Sequence, residues 1–168
     1  EPFANNSAFL SYLRRVSNTS KERYEALKSL VLKHRKVIIF YNFDYELELL
    51  RALRDDLGSS FELAEWNGHL HQEVPEGPDW VYLVQYTAGS EAWNCITSDT
   101  IVFYSLNYSY RIMEQSEGRI DRLNSPYIDL FYYRLMCSSP LDLGIWEALR
   151  RKKTFSEARF VAKMGGVS

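Results

Sequence analysis

Apolar residues fall along this chain in two rhythms: short solid runs, and longer stretches where they recur every third or fourth place. Lys36-Val-Ile-Ile-Phe-Tyr41 is a solid run and predicts a strand buried on both faces. Phe61-Glu-Leu-Ala-Glu65 alternates as a strand does, and Trp80–Gln85, Thr100–Ser105 and Asp129–Leu135 predict three more. Between them the spacing turns helical. A first helix carries Phe9, Leu10, Leu13 and Val16. Thr19 with Glu22 predicts a capping box for a second, whose stripe is Tyr24, Leu27, Val31 and His34. Asp44 opens a third, with Leu47, Leu50, Leu53 and Leu57 inward and Gly58 as its stop. A Gly/Pro/Asn-rich loop spans Asn67 to Asp79, and Thr87 to Asp99 reads as a loop plus a short helix. Helices over about 109–123 and from Asp142 to Arg151 complete the pattern. Apolar strands alternating with helices predict an α/β fold, a mostly parallel sheet with helices on both faces.

At 168 residues the chain is one domain with room for a real core, and it carries no internal repeat or low-complexity segment. A net charge of −2 gives no argument for nucleic acid from basicity alone, yet the charge is unevenly spread. Residues 11–36 hold eight Lys/Arg against two Glu, residues 150–163 six against one, and residues 44–79 ten Asp/Glu against two Arg. Solvated helix faces explain this in part; basic ends flanking a polyanion are the sharper reading. Two cysteines, Cys95 and Cys137, make no disulfide framework and suit a reducing cytosol. No apolar run reaches membrane-spanning length and no signal peptide is visible. The start at Glu1-Pro2 rather than Met suggests a piece of something longer.

The chemistry lies in Gln115-Ser-Glu-Gly-Arg-Ile-Asp-Arg122, just after the strand at 100–105. On one helix, positions 115, 119 and 122 would share a stripe and project two guanidiniums and a carboxamide side by side. Arginine stays protonated at any working pH, so this array cannot act as a base or nucleophile. It can hold anionic oxygens, above all those of a phosphoryl group in transfer. The plainer alternative for Arg119 and Arg122 is a salt-bridged surface with Glu117 or Asp121.

Taken together, Tyr86-Thr-Ala-Gly-Ser-Glu-Ala-Trp-Asn94, a strand, and the Gln/Arg segment resemble motifs V and VI of superfamily-two helicases. They look most like the Swi/Snf-like branch and its phage-encoded relatives. The Val37–Tyr41 strand is similar to motif IV, Asn67-Gly68 falls where that branch turns near the nucleic acid, and Arg150-Arg-Lys-Lys153 resembles its end. The resemblance implies a RecA-like three-layer sandwich, the C-terminal lobe of a bacterial or phage-encoded motor. Residues 1–36 would be a helical lead-in from a missing first lobe, 37–150 the RecA-like lobe, and 151–168 a basic tail.

In such motors ATP and Mg²⁺ lie between two lobes, held mainly by the first. No Gly-x-x-x-x-Gly-Lys-Ser/Thr occurs here, nor an Asp-Glu pair after a strand, so this lobe is expected to have no ATPase of its own. By motif position Arg122 is the arginine-finger candidate, Arg119 its partner, and Gln115 orients phosphate or water. Gly89, Glu91, Asn94 and Gly118 fall at nucleotide-facing positions, and Asn67, Gly68, Thr87 and Ser90 at nucleic-acid-facing ones. Hydroxyls and loop amides suit phosphate without reading sequence. Motif V departs from the pattern at Ala92, where the family commonly has glycine, and at Thr87, where it has lysine or a similar residue. Trp93 is either a stacking ring or a core anchor. No metal site is expected of His69-x-His71, which no further ligand joins at the right spacing. The implied partners are DNA, with RNA as the alternative track, and the first lobe of the same polypeptide. The implied location is the cytoplasm, the host's if phage-encoded. Rival readings are a stand-alone nucleic-acid-binding or adaptor module without ATPase, and a small α/β enzyme with an unrelated phosphate ligand.

Overall fold

Val37, Ile38, Ile39, Phe40 and Tyr41 are wholly buried at the centre of a parallel sheet in the computed structural model, which describes residues 4–88, 95 and 97–165. They form β1 (Lys36–Tyr41); β2 is Glu62–Trp66, β3 Trp80–Gln85, β4 Thr100–Phe103 and β5 Phe131–Arg134. The order is β2-β3-β1-β4-β5, every pair parallel, with Lys36 opposite Trp80 and Val37 opposite Thr100. The expected α/β architecture is present: a three-layer RecA-like sandwich.

The pleat divides the core. Ile38, Phe40, Tyr82, Val84, Ile101 and Phe103 point to one face, where Leu10 of α1 (Asn6–Asn18), Met113 of α5 (Tyr110–Glu117) and Ile145 of α6 (Pro140–Arg150) cover them. Val37, Ile39, Tyr41, Val81, Leu83 and Val102 point to the other, under Leu27 and Val31 of α2 (Lys21–His34), Leu50 of α3 (Asp44–Leu50) and Leu53 of α4 (Leu53–Leu57). Burying each such aliphatic side chain contributes about 1.5–3 kcal/mol, so the solid apolar runs dictate a sheet covered twice.

The differences from expectation have local causes. Ser20, not Thr19, caps α2 by accepting from the Arg23 amide (3.3 Å), while Thr19 closes α1 and its hydroxyl donates to the Arg15 carbonyl (2.7 Å). The single helix expected from Asp44 breaks at Arg51-Ala52, where Arg51 reaches β2 and grips Glu65 through two bonds (2.8 and 2.7 Å). Gly58 stops α4 with φ +84°. On α1 the apolar stripe is only partly buried: Leu10 faces inward with Arg14 and Asn18, whereas Phe9, Leu13 and Val16 are exposed. Ser139 caps α6 and Pro140 takes its first turn, so this helix starts two residues before Asp142. Residues 157–163 of the basic segment form a further helix, α7 (Glu157–Lys163), with Phe160 packed against Gly144 of α6. Among the described residues no helix is long and apolar enough to cross a membrane.

Arg23 ties the layers at the carboxyl ends of β4 and β5. Its guanidinium donates to the Tyr104 and Leu135 carbonyls (both 2.7 Å), to Ser17 Oγ (2.9 Å) and to Asp142 Oδ2 (2.8 Å). Both ends of that ion pair are buried.

Candidate functional site

The Gln/Arg segment begins as expected and ends early. Ser109 caps α5 by accepting from the Ile112 amide (3.3 Å), but the helix stops at Glu117 and Gly118–Ile120 form a turn. The single stripe through 115, 119 and 122 is therefore broken: Gln115 is exposed on the helix, Arg119 sits in the turn, and Arg122 lies beyond it. Three contacts divert the chain. The Ser116 hydroxyl donates back to the Ile112 carbonyl (2.8 Å), a bond that competes with regular helix. Ile120 is drawn wholly into the core. The Cys95 amide donates to the Arg119 carbonyl (3.0 Å), so this carbonyl is bonded across the fold.

Arg119 and Arg122 stand on and just beyond this turn. Arg119 is half-buried and Arg122 exposed. Burial, and then the positive charge of Arg122, pull the Arg119 guanidinium below the usual arginine range. Glu117, one of the two acids named in the salt-bridged alternative, holds Arg134 of β5 (2.6 Å), and the Tyr132 hydroxyl donates to its carbonyl (3.1 Å). Arg134 in turn lies 5.0 Å from the Trp146 ring centre.

This cation pair stands at the amino edge of the sheet. Cys95, which meets Arg119, and Thr97, whose carbonyl accepts from the Tyr127 hydroxyl (3.0 Å), both precede β4. The Phe131 amide donates to Asp99 at the same edge (2.8 Å). Open α/β sheets usually bind their own ligands at the opposite, carboxyl edge. Cations presented at the amino edge suit an anion carried by another body.

Gly118 has φ −67°, and a Cβ built there would meet the Gln115 carbonyl oxygen at 3.5 Å, an ordinary contact. Nothing inside the described fold demands glycine at that position.

The other sequence candidates scatter. Gly89, Ser90, Glu91 and Asn94, with Ala92 and Trp93, lie outside the described residues. Thr87 is described; it follows β3 and lines a cavity at the carboxyl edge. Asn67 is buried and committed to its own turn. Its Oδ1 accepts from the His69 and Leu70 amides (2.9 and 3.0 Å), and its Nδ2 donates to Glu65 (3.2 Å). Gly68 next to it is exposed, with open space where a Cβ would stand. His71 stacks on Trp66 at 4.3 Å, and among the described residues no group of three His, Cys, Asp or Glu could hold a metal ion. Sequence reasoning missed Arg14 and Arg15 of α1, which line the same cavity as Thr87. The basic cluster in residues 11–36 was the available signal.

No family model matches the chain, and no curated protein does. Among solved structures it is similar to the crystal structure of the C-terminal part of the Fun30 ATPase domain, with a TM-score of 0.66 and 17% identity. The likeness covers 83% of this chain and 50% of that one, so the chain spans about half the neighbour's length. At that identity what is shared is the fold: this α/β sandwich is also that of the C-terminal part of an ATPase domain.

Proposed function

We propose that the chain is the second motor lobe of an ATP-dependent DNA helicase or translocase of superfamily two, in the Swi/Snf-like branch. The observation that carries this is the placing of Arg119 and Arg122 on and just beyond a turn that the Cys95 amide ties to the segment before β4, in a five-stranded parallel sandwich. Guanidiniums can take the anionic oxygens of a phosphoryl group in transfer, and the exposed Arg122 lies where another body could bring one. The missing P-loop says which half of the chemistry lies elsewhere: the phosphates and Mg²⁺ would be held by a first lobe of the same polypeptide.

In this reading ATP supplies the phosphoryl group that is cleaved, and the lobe's own residues recognise its charge as it develops. Arg122, exposed and beyond the turn, reaches across the cleft as the arginine finger. Arg119 sits behind it, positioned by its carbonyl bond to Cys95. Gln115, on the exposed face of α5, orients phosphate or attacking water. Gly89, Glu91, Asn94 and Gly118 would line the nucleotide, while Thr87, Ser90 and the Asn67-Gly68 turn would meet the nucleic-acid backbone. At Asn67 the contact falls to the turn's backbone, because the side chain is already bonded within it. An arginine finger contributes about 10³–10⁵ in rate, or about 4–7 kcal/mol of barrier. Closure of the cleft therefore switches hydrolysis on, and repeated closure moves the protein along its track.

The test is Arg122→Ala in the full two-lobed protein. DNA-stimulated ATPase should fall by about 10³-fold or more while DNA binding stays at the parent's level. Turnover within about threefold of the parent would defeat the assignment, since so small a change is under 1 kcal/mol.

A further inference from the structure

At the sheet's carboxyl edge, opposite the arginine turn, the surface falls into a cavity of about 710 Å³. It lies where the chain leaves β1, β3 and β4, with β1 flanked by the other two, which is the crevice where open parallel sheets take ligands. Its size fits a ligand of nucleotide dimensions. The floor is polar and internally bonded: the Asn42 amide donates to Ser105 Oγ (2.8 Å) and to the Leu106 carbonyl (3.1 Å), and the Asn107 amide donates to Asn42 Oδ1 (2.8 Å).

The walls are rings and guanidiniums. Phe43 and Tyr45 stack on each other at 5.0 Å and 11°. Arg15, exposed on α1, lies 5.0 Å over the Tyr45 ring, and Tyr12, one turn earlier and 53% exposed, presents a further ring. Arg14 is buried beneath them, bonded to the Leu106 carbonyl and lodged between the Phe43 and Tyr108 rings (5.0 and 4.6 Å). Glu157, the acid among the lining residues, accepts from the Tyr108 hydroxyl (2.9 Å). Thr87 stands at the rim beyond β3.

Stacked rings and a fixed positive field are how proteins hold unpaired nucleotides: the rings take the base faces and the cations take the phosphate. A paired base in a duplex has both faces covered by its neighbours and cannot enter such a wall. We infer that this cavity holds one unpaired nucleotide of a nucleic-acid strand, its base against Tyr12 and the Arg15–Tyr45 stack and its phosphate toward Arg15 and Thr87. The inference rests on the nucleic-acid reading above and narrows it from a backbone to an exposed base. It also gives α1 a binding role rather than that of a connector.

The test is fluorescence anisotropy on the 168-residue chain with a labelled oligothymidylate, a duplex of equal length, and thymidine monophosphate as competitor. The single strand should bind at least about tenfold more tightly than the duplex. Tyr12→Ala and Arg15→Ala, both at exposed positions, should each weaken it by about five- to hundred-fold, and Tyr12→Ala, which removes a ring and no charge, should leave duplex binding as it was. Equal binding of the two probes, or two variants that bind like the parent, would overturn the inference and leave the backbone reading standing. Thymidine monophosphate competing as strongly as the oligomer would assign the cavity to a free nucleotide, which also overturns it. Failure of both probes to bind would take the nucleic-acid reading down as well.

Discussion

Arg119 is half-buried and Arg122 exposed, on and just beyond a turn held by a backbone bond from Cys95 and by the buried Ile120. Residue types and order were legible in the sequence; their geometry was not. The 3.6-residue period places 115, 119 and 122 on one stripe, but it knows nothing of the Ser116 hydroxyl turned back on Ile112, nor of a carbonyl captured from a segment some twenty residues earlier. Gly118 separates folding from function at this scale. Its backbone is helical and a Cβ has ordinary room, so Gly118→Ala should leave the chain as stable as the parent or up to about 1 kcal/mol more so. If nucleotide approaches this backbone across the cleft, the same change should lower ATPase of the two-lobed protein by about tenfold, a cost of some 1.4 kcal/mol. Thermal melting and steady-state turnover read the two effects separately. Unchanged turnover would remove Gly118 from the nucleotide surface.

The strands were the most readable elements, because a solid run such as Val37–Tyr41 can be satisfied only by burial on both faces. Helix α1 was the least readable. Leu10 is buried, but Phe9, Leu13 and Val16 are exposed, while Arg14 turns inward to two rings and a carbonyl. A hydrophobicity pattern assigns arginine to solvent, and no single-residue property announces that rings and a carbonyl wait for it inside. Arg23 is a second buried arginine, with four partners around its guanidinium that belong to α1, to the ends of β4 and β5, and to α6. Arg23→Met should cost about 3–5 kcal/mol, since it leaves Asp142 buried without its cation and two carbonyls without a donor. Denaturant unfolding of the 168-residue chain measures this. A loss below about 1 kcal/mol would mean that water replaces the guanidinium and that these layers are not tied through Arg23.

As a whole the molecule offers two chemically different edges on one sheet. The amino edge carries the exposed Arg122 and the half-buried Arg119, and the carboxyl edge carries rings, amides and the arginines of α1. On the reading proposed above, each edge would meet a different partner. The central claim concerns the amino edge alone: its cations matter for the transferring phosphoryl group more than for bound nucleotide. The direct measurement is the affinity of the two-lobed protein for ADP with aluminium fluoride, a mimic of that group in transfer, set against its affinity for ADP. Arg122→Ala should weaken the fluoride complex by about a hundredfold or more and leave ADP binding within about threefold of the parent. Equal weakening of both, or of neither, would contradict an arginine that acts on the transition state.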